Sequence, residues 1–461
     1  MAVHEPDQTL RRHFFFVAGF DPMSAEGHHK VFTREIDRFA KVWNVETGCD
    51  HAIAPTATGA TWNAHAMGPG WSTQTRFELL AWDEFVRADM ARSRWSHILG
   101  TTRALADMIA SGTVVRYFRL SHRYGIFFVL TYVVLLAITA AALAAGYGAA
   151  YFSAAPLGPI PALLLGAIAT AGVFFGLMAT LGKRLRLKQS LDLAEFSVDY
   201  ARGRHPDIDA RVAAFAARVR EVARKGGVDE IVIAGHSLGA MHVVSLMAQV
   251  LARDPKFGTR IPIRLLTLGS TTAKFALHPA GTRLRAAAHK VHAAPAVGWA
   301  EFQARDDIVS FYKVNPVTLG HAGNADGRRR PFVRQITIRG LLTPKTYARF
   351  RFDVMRLHCQ FFLANDRKAP YDFYAFVCAP VTFDEMVRQM DGPMAIFASD
   401  GALIPLADRQ LTAVGGEAPA KATEPAAAPA GPAQPPARAK AHPRSGGRAR
   451  PHSRSRSRKR P

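Results

Sequence analysis

The five residues Gly235-His236-Ser237-Leu238-Gly239 are where this 461-residue chain could do chemistry. A serine hydroxyl is a poor nucleophile at neutral pH. It needs a histidine to take its proton and a carboxylate to hold that histidine in the right tautomer. It also needs backbone N–H groups aimed at the oxyanion that forms. Glycines two residues before and after the serine let the backbone turn sharply from strand to helix, which lifts the hydroxyl above a sheet edge. Residue frequencies alone produce the pattern about 0.15 times in a chain of this length, so its flanks must carry the rest. Val228 to Ala234 reads as a short β-branched strand, and Ala240 to Leu251 reads as a helix.

With those flanks, Ile231-Val-Ile-Ala-Gly-His-Ser-Leu-Gly-Ala240 resembles the nucleophile elbow of the α/β-hydrolase superfamily in its lipase and esterase form. The resemblance covers roughly residues 10–110 and 190–390. It implies a mostly parallel, doubly wound sheet and a chain order of serine, then acid, then histidine. The acid would come from Phe302-Gln-Ala-Arg-Asp-Asp-Ile-Val309, with Asp307 favoured and Asp306 the close alternative. That order sets aside His289 and His292. His321 precedes the last strand candidate, and His442 and His452 lie in the tail, which leaves His358. The oxyanion donors implied are the amide of Leu238 and that of Phe20, in the Gly19-Phe20-Asp21 turn after an early strand.

The elements expected to position these groups follow from periodicity. Residues 13–18 form a compact apolar run, a buried strand closed by Gly19 and Pro22. Residues 29–44 have helical spacing, 46–75 look irregular, and 75–110 again look helical. After residue 189 helical runs alternate with strand candidates at Ile261 to Leu268, Ala300 to Ala304 and Phe332 to Ile338.

Between these halves, residues 125–152 and 157–181 carry no charged side chain. About 20 helical residues cross a hydrocarbon core, so the pair predicts a transmembrane hairpin within residues 116–188, joined by an uncharged turn around 152–161. Arg116, Arg119 and Arg123 precede it, and Lys183, Arg184, Arg186 and Lys188 follow it. This predicts cytoplasmic arms and an inner-membrane protein. Residues 1–115 and 189–410 would then be two parts of one hydrolase domain.

The formal charge is +23, of which residues 417–461 contribute nine. That Ala/Pro/Arg-rich segment lacks periodicity and reads as a disordered basic tail. Its Arg-Ser repeat has no aromatic interleaving and no folded nucleic-acid module beside it, so acidic lipid is the expected partner rather than nucleic acid. Cys49, Cys359 and Cys378 are far apart and show no metal-type pairing. No cofactor or metal is expected. The function expected is cleavage of an ester or acyl substrate, with a lipid or other apolar acyl group favoured by location alone. A thioesterase or acyltransferase would use the same residues, and a membrane scaffold could keep the fold without catalysis.

Overall fold

The computed structural model describes residues 8–322 and 331–409; the basic tail lies outside these. In chain order, β1 (Gln8–Val17) leads to α1 (Ala25–Trp43), then β2 (Glu46–Cys49), β3 (Ala54–Thr56), β4 (Gly59–Gly68) and β5 (Trp71–Leu80). Helices α2 (Asp83–Met90), α3 (Arg94–Ala110), α4 (Thr113–Leu120), α5 (His122–Leu157) and α6 (Pro159–Leu177) follow. Then come α7 (Leu187–Ala201), α8 (Pro206–Lys225), β6 (Glu230–His236), α9 (Leu238–Arg253), β7 (Ile263–Leu268), α10 (Thr272–Ala276), α11 (Thr282–Ala293) and β8 (Val297–Ala304). The last strand, β9 (Phe332–Ile336), is followed by short helices, among them α12 (Ile338–Leu341), α13 (Pro344–Phe350), α14 (Val354–His358) and α15 (Phe373–Cys378).

Among the described residues nine strands form one mixed, mostly parallel sheet in the order β2-β4-β5-β1-β6-β7-β8-β9, with β3 beside β4. The strand β1 sits in its interior, parallel to both β5 and β6. This explains its unbroken apolar run. Phe14 and Phe16 enter a core shared with α1 and α15, while Phe15 and Val17 enter a second core shared with α8 and α9. A strand covered on both faces has no polar side to show. Since β1 pairs with a strand on each side of the α5–α6 segment, that segment is an insertion into one sheet-based unit.

Residues 46–80 correct the sequence expectation. Instead of an irregular stretch running into a helix, they hold β2, β3, β4 and β5, and helix begins only at Asp83. The strand β4 does alternate, burying Trp62, Ala64 and Ala66 and turning Asn63, His65 and Met67 outward. Small residues on the inner face hide that alternation from a hydropathy reading. In β5 the inward positions include Thr73 and Thr75, whose burial comes from neighbours rather than from hydrophobicity. The β4–β5 turn uses Gly70 at φ +75°, a conformation glycine adopts without a Cβ penalty. Similarly, β9 stops at Ile336, and Ile338 starts α12.

Helices α5 and α6 are long and apolar enough to cross a membrane, with mean hydropathy 2.6 over an 18-residue stretch of α5 and 2.1 over one of the α6 segment running on to Gly182. Their surfaces distinguish them from core helices: Leu143, Phe152 and Leu163 are 59%, 80% and 68% exposed. The turn between them is tighter than the sequence suggested. The helix α5 continues through Pro156 near its end, Gly158 reverses the chain at φ +79°, and Pro159 opens α6. Proline suits the first turn of a helix because its missing N–H would be unpaired there anyway. The two helices touch at Gly146 and Gly166, where an added Cβ would lie 2.7 and 2.8 Å from the opposing backbone carbonyl oxygen. Small residues let apolar helices approach closely in this way.

One buried acid makes a pH prediction. Glu301 of β8 accepts hydrogen bonds from Thr267 Oγ1 (3.1 Å) and Gln303 Nε2 (2.6 Å), yet burial raises its pKa from 4.5 to about 7. Between pH 4.5 and 7 the folded form holds a proton that the unfolded form has lost, so stability falls as pH rises through that window and stays lower above it. Glu301→Gln should therefore melt higher than wild type at pH 8, by up to about 3 kcal/mol. The difference should vanish near pH 4 in paired thermal melts.

Candidate active site

Ser237 occupies the junction between β6, whose seven residues are all buried, and α9. Its backbone is at φ +56°, ψ −116°, a strained conformation for a residue with a Cβ. The strain is held from three sides. The Ser237 amide donates to the Leu268 carbonyl (2.9 Å), and the Ser237 carbonyl accepts from the amides of Ala240 (3.2 Å) and Thr271 (3.3 Å).

The flanking glycines have separate jobs. A Cβ on Gly235 would lie 2.4 Å from the Gly239 carbonyl oxygen, so this glycine lets α9 start directly over the end of β6. A Cβ on Gly239 would lie 2.1 Å from the Val17 carbonyl oxygen, so this one lets α9 press against β1. Neither contact can be relieved by a side-chain rotation. Gly239→Ala should lower the melting temperature sharply, at a cost of about 3 kcal/mol or more. Gly172→Ala, where the added carbon meets nothing within 4 Å, should not; the two melts compared side by side check this.

The other candidate residues lie on segments that follow the neighbouring parallel strands. Asp307 follows β8 and is buried, as is His358 at the end of α14. The His358 Nδ1–H donates to Asp307 Oδ2 at 2.8 Å. The same oxygen accepts from Ser310 Oγ (2.6 Å), and Asp307 Oδ1 accepts from the Val309 amide (2.9 Å). Burial pushes the Asp307 pKa up, but the attraction and hydrogen bond of His358, with the donors on Ser310 and Val309, outweigh it and leave the carboxyl below its ordinary value. The aspartate is thus ionised and its partner nitrogen is fixed as the protonated one. Asp306 is turned away, accepting from the Arg339 amide at 3.2 Å. The other ring nitrogen, His358 Nε2, is buried without a hydrogen-bond partner, so no bond joins it to Ser237 in this structure.

Two backbone amides frame the serine. Leu238 opens α9, where the first N–H groups of a helix have no intrahelical acceptor and the helix dipole favours negative charge. On the other side, Asp21 N–H donates to the Gly19 carbonyl (2.8 Å), folding a three-residue turn with Phe20 at its centre. A Cβ on Gly19 would lie 2.9 Å from Ser237 Cβ, which puts this turn against the nucleophile candidate. The Phe20 ring packs on Phe196 of α7 and on Trp82, at 5.2 and 6.2 Å between centroids.

Four further residues complete this arrangement: the sequence had named Gly19 as part of its turn but assigned no role to Ser310, Gly269 or His236. Ser310 adds the second donor to Asp307 Oδ2, and the three-residue spacing from Asp307 was a readable hint. Gly19 and Gly269 make room, the latter because a Cβ there would lie 3.2 Å from His358 Cε1. His236 bonds the His358 backbone, with its Nε2 3.0 Å from the carbonyl oxygen. Cys359, next to His358, has its thiol pushed up to about 12 by burial and stays protonated. Among the described residues no group of three or more His, Cys, Asp or Glu side chains is placed to hold a metal ion.

No protein family, curated protein or solved structure matches this chain.

Proposed function

We propose that the protein is a membrane-anchored serine hydrolase of α/β-hydrolase type that cleaves an ester through an acyl-enzyme. The observation that carries this reading is a strained serine between a buried strand and a helix N-terminus, at the same sheet edge as a buried, hydrogen-bonded Asp307–His358 pair. Strain of this kind persists only when the surroundings over-determine it, and a fully buried ionised carboxylate is costly unless it serves a partner.

In this reading Ser237 Oγ attacks the substrate carbonyl carbon while His358 Nε2 takes the hydroxyl proton. The tetrahedral oxyanion receives hydrogen bonds from the Leu238 and Phe20 amides. His358 then returns the proton to the leaving alkoxide, and an acyl group remains on Ser237. Water, deprotonated by the same nitrogen, releases the acid and restores the serine. Asp307 stabilises the imidazolium and keeps Nδ1 protonated. Helices α5 and α6 would anchor this unit in the inner membrane, with the basic flanks and the catalytic unit on the cytoplasmic side.

A non-catalytic scaffold is the second reading, and the unpartnered His358 Nε2 is the observation in its favour. Against it stands the rule that catalytic hydrogen bonds are often long until substrate binds. A fluorophosphonate probe decides between them. A membrane-permeant probe should label the protein in intact cells, and an impermeant one only after permeabilisation. Folded protein that takes up neither would end the enzymatic reading, and impermeant labelling of intact cells would reverse the topology.

A further inference from the structure

His236 stands between the first glycine of the elbow and the nucleophile candidate, and only 4% of it is exposed. Its Nε2 lies 3.0 Å from the backbone carbonyl oxygen of His358. A carbonyl can only accept, so His236 Nε2 carries the hydrogen and Nδ1 is bare. The helix α14 ends at His358, where the chain passes directly into a 3-10 turn over Cys359–Phe362. His236 adds a side-chain donor to the His358 carbonyl at that junction. The two imidazole rings also pack on each other, with centroids 4.5 Å apart and planes tilted by 44°, and Phe362 backs the His236 ring at 4.9 Å.

We propose that His236 is a positioning residue for the base: it holds His358 by its carbonyl and by its ring face, fixing the imidazole relative to the Ser237 elbow. The proposal rests on the serine-hydrolase reading. Its physical basis is that nucleophile and base come from distant stretches of chain, 122 residues separating His236 from His358. Something must keep their spacing constant to a fraction of an ångström, since a misplacement of about 1 Å can cost about 100-fold in rate. His236 is one peptide bond from Ser237, so a bond from its ring to the His358 backbone ties the two halves of the site together. Asp307 fixes one ring nitrogen, Gly269 leaves space beside Cε1, and His236 restrains the ring face. Burial, reinforced by the nearby His358, keeps the His236 pKa well below the ordinary histidine value. A second positive charge therefore does not form beside His358 when it takes the serine proton.

Two variants separate this role from simple packing. His236→Phe keeps an aromatic ring and loses the N–H, whereas His236→Gln loses the ring and keeps a donor of similar reach. The full-length protein in detergent or nanodiscs would be followed by two readouts: the second-order rate of fluorophosphonate labelling, and the downfield proton resonance of the His358 Nδ1–H, assigned by its loss in Asp307→Asn. His236→Phe should label about 10- to 100-fold more slowly and shift or broaden that resonance. His236→Gln should recover labelling to within about threefold of wild type, with the resonance restored. Wild-type rates in His236→Phe would overturn the proposal. So would equal loss in both variants in step with a falling melting temperature. If wild type shows the resonance but never labels, the hydrolase reading fails; the resonance then judges the clamp, and an unchanged signal in His236→Phe overturns it.

Discussion

Ser237→Ala should abolish fluorophosphonate labelling and lower any ester hydrolysis by about 10⁴- to 10⁶-fold. The substitution keeps the Cβ, so the packing against Gly19 and the backbone at φ +56° are unchanged and only the hydroxyl is lost. Ser237→Gly makes a sharper companion. It should be equally inactive yet more stable than Ser237→Ala by about 1 kcal/mol. Relief of the positive φ, worth about 1–3 kcal/mol, exceeds the extra backbone entropy that glycine loses on folding. Thermal melts of the two variants check this. A serine held for chemistry predicts such a gain on removal, because strain at a working site is tolerated for activity and not for stability. If Ser237→Ala labels at the wild-type rate, another nucleophile is responsible.

The second large effect separates two adjacent aspartates. Asp307 receives three donors: the His358 Nδ1–H, the Ser310 hydroxyl and the Val309 amide. An amide NH₂ cannot satisfy them in either orientation. With the nitrogen facing Val309, two N–H groups oppose each other. With it facing His358, the ring must switch to the tautomer protonated at Nε2, which cannot act as a base. Asp307→Asn should therefore lower the labelling rate about 10³- to 10⁴-fold with Ser237 still present. Asp306→Asn should stay within about threefold, since an asparagine oxygen can still accept from the Arg339 amide. Equal losses in the two variants would remove the assignment. The depressed Asp307 pKa adds a pH signature: its stabilising contribution is complete above the ordinary carboxyl value of 3.8 and disappears as pH falls through the lower folded value. Acid melts of wild type should therefore show a loss of stability below about pH 4 that Asp307→Asn lacks.

The same aspartate pair shows where the sequence ran out. Both residues sit in one turn after β8, identical in type and adjacent in the chain. Which one points inward depends on β9 and α14, packed from 25 to 50 residues further on in the sequence by rough count. The stretch 46–80 was unreadable for a different reason. Many of its buried strand positions are Ala or Thr (Ala60, Thr61, Ala64, Ala66, Thr73 and Thr75), whose burial is imposed by the Trp62 and Phe77 rings and by neighbouring strands rather than announced by hydropathy. His236 was printed inside the motif, yet its partner is a carbonyl of a helix 122 residues away. No local pattern carries that contact.

What the sequence determined alone is local: a glycine-flanked serine between strand and helix, and two charge-free runs long enough to form apolar helices. Each of these is a property of consecutive side chains, set by backbone sterics or by transfer of apolar surface from water. Tertiary structure decided which groups meet. It placed β1 between β5 and β6 so that the Gly19–Asp21 turn lies against Ser237, it chose Asp307 over Asp306 as the partner of His358, and it brought the His236 ring to the His358 backbone. Those outcomes depend on strand order and on close packing across the sheet edge, where a shift of one residue or one carbon excludes the alternative.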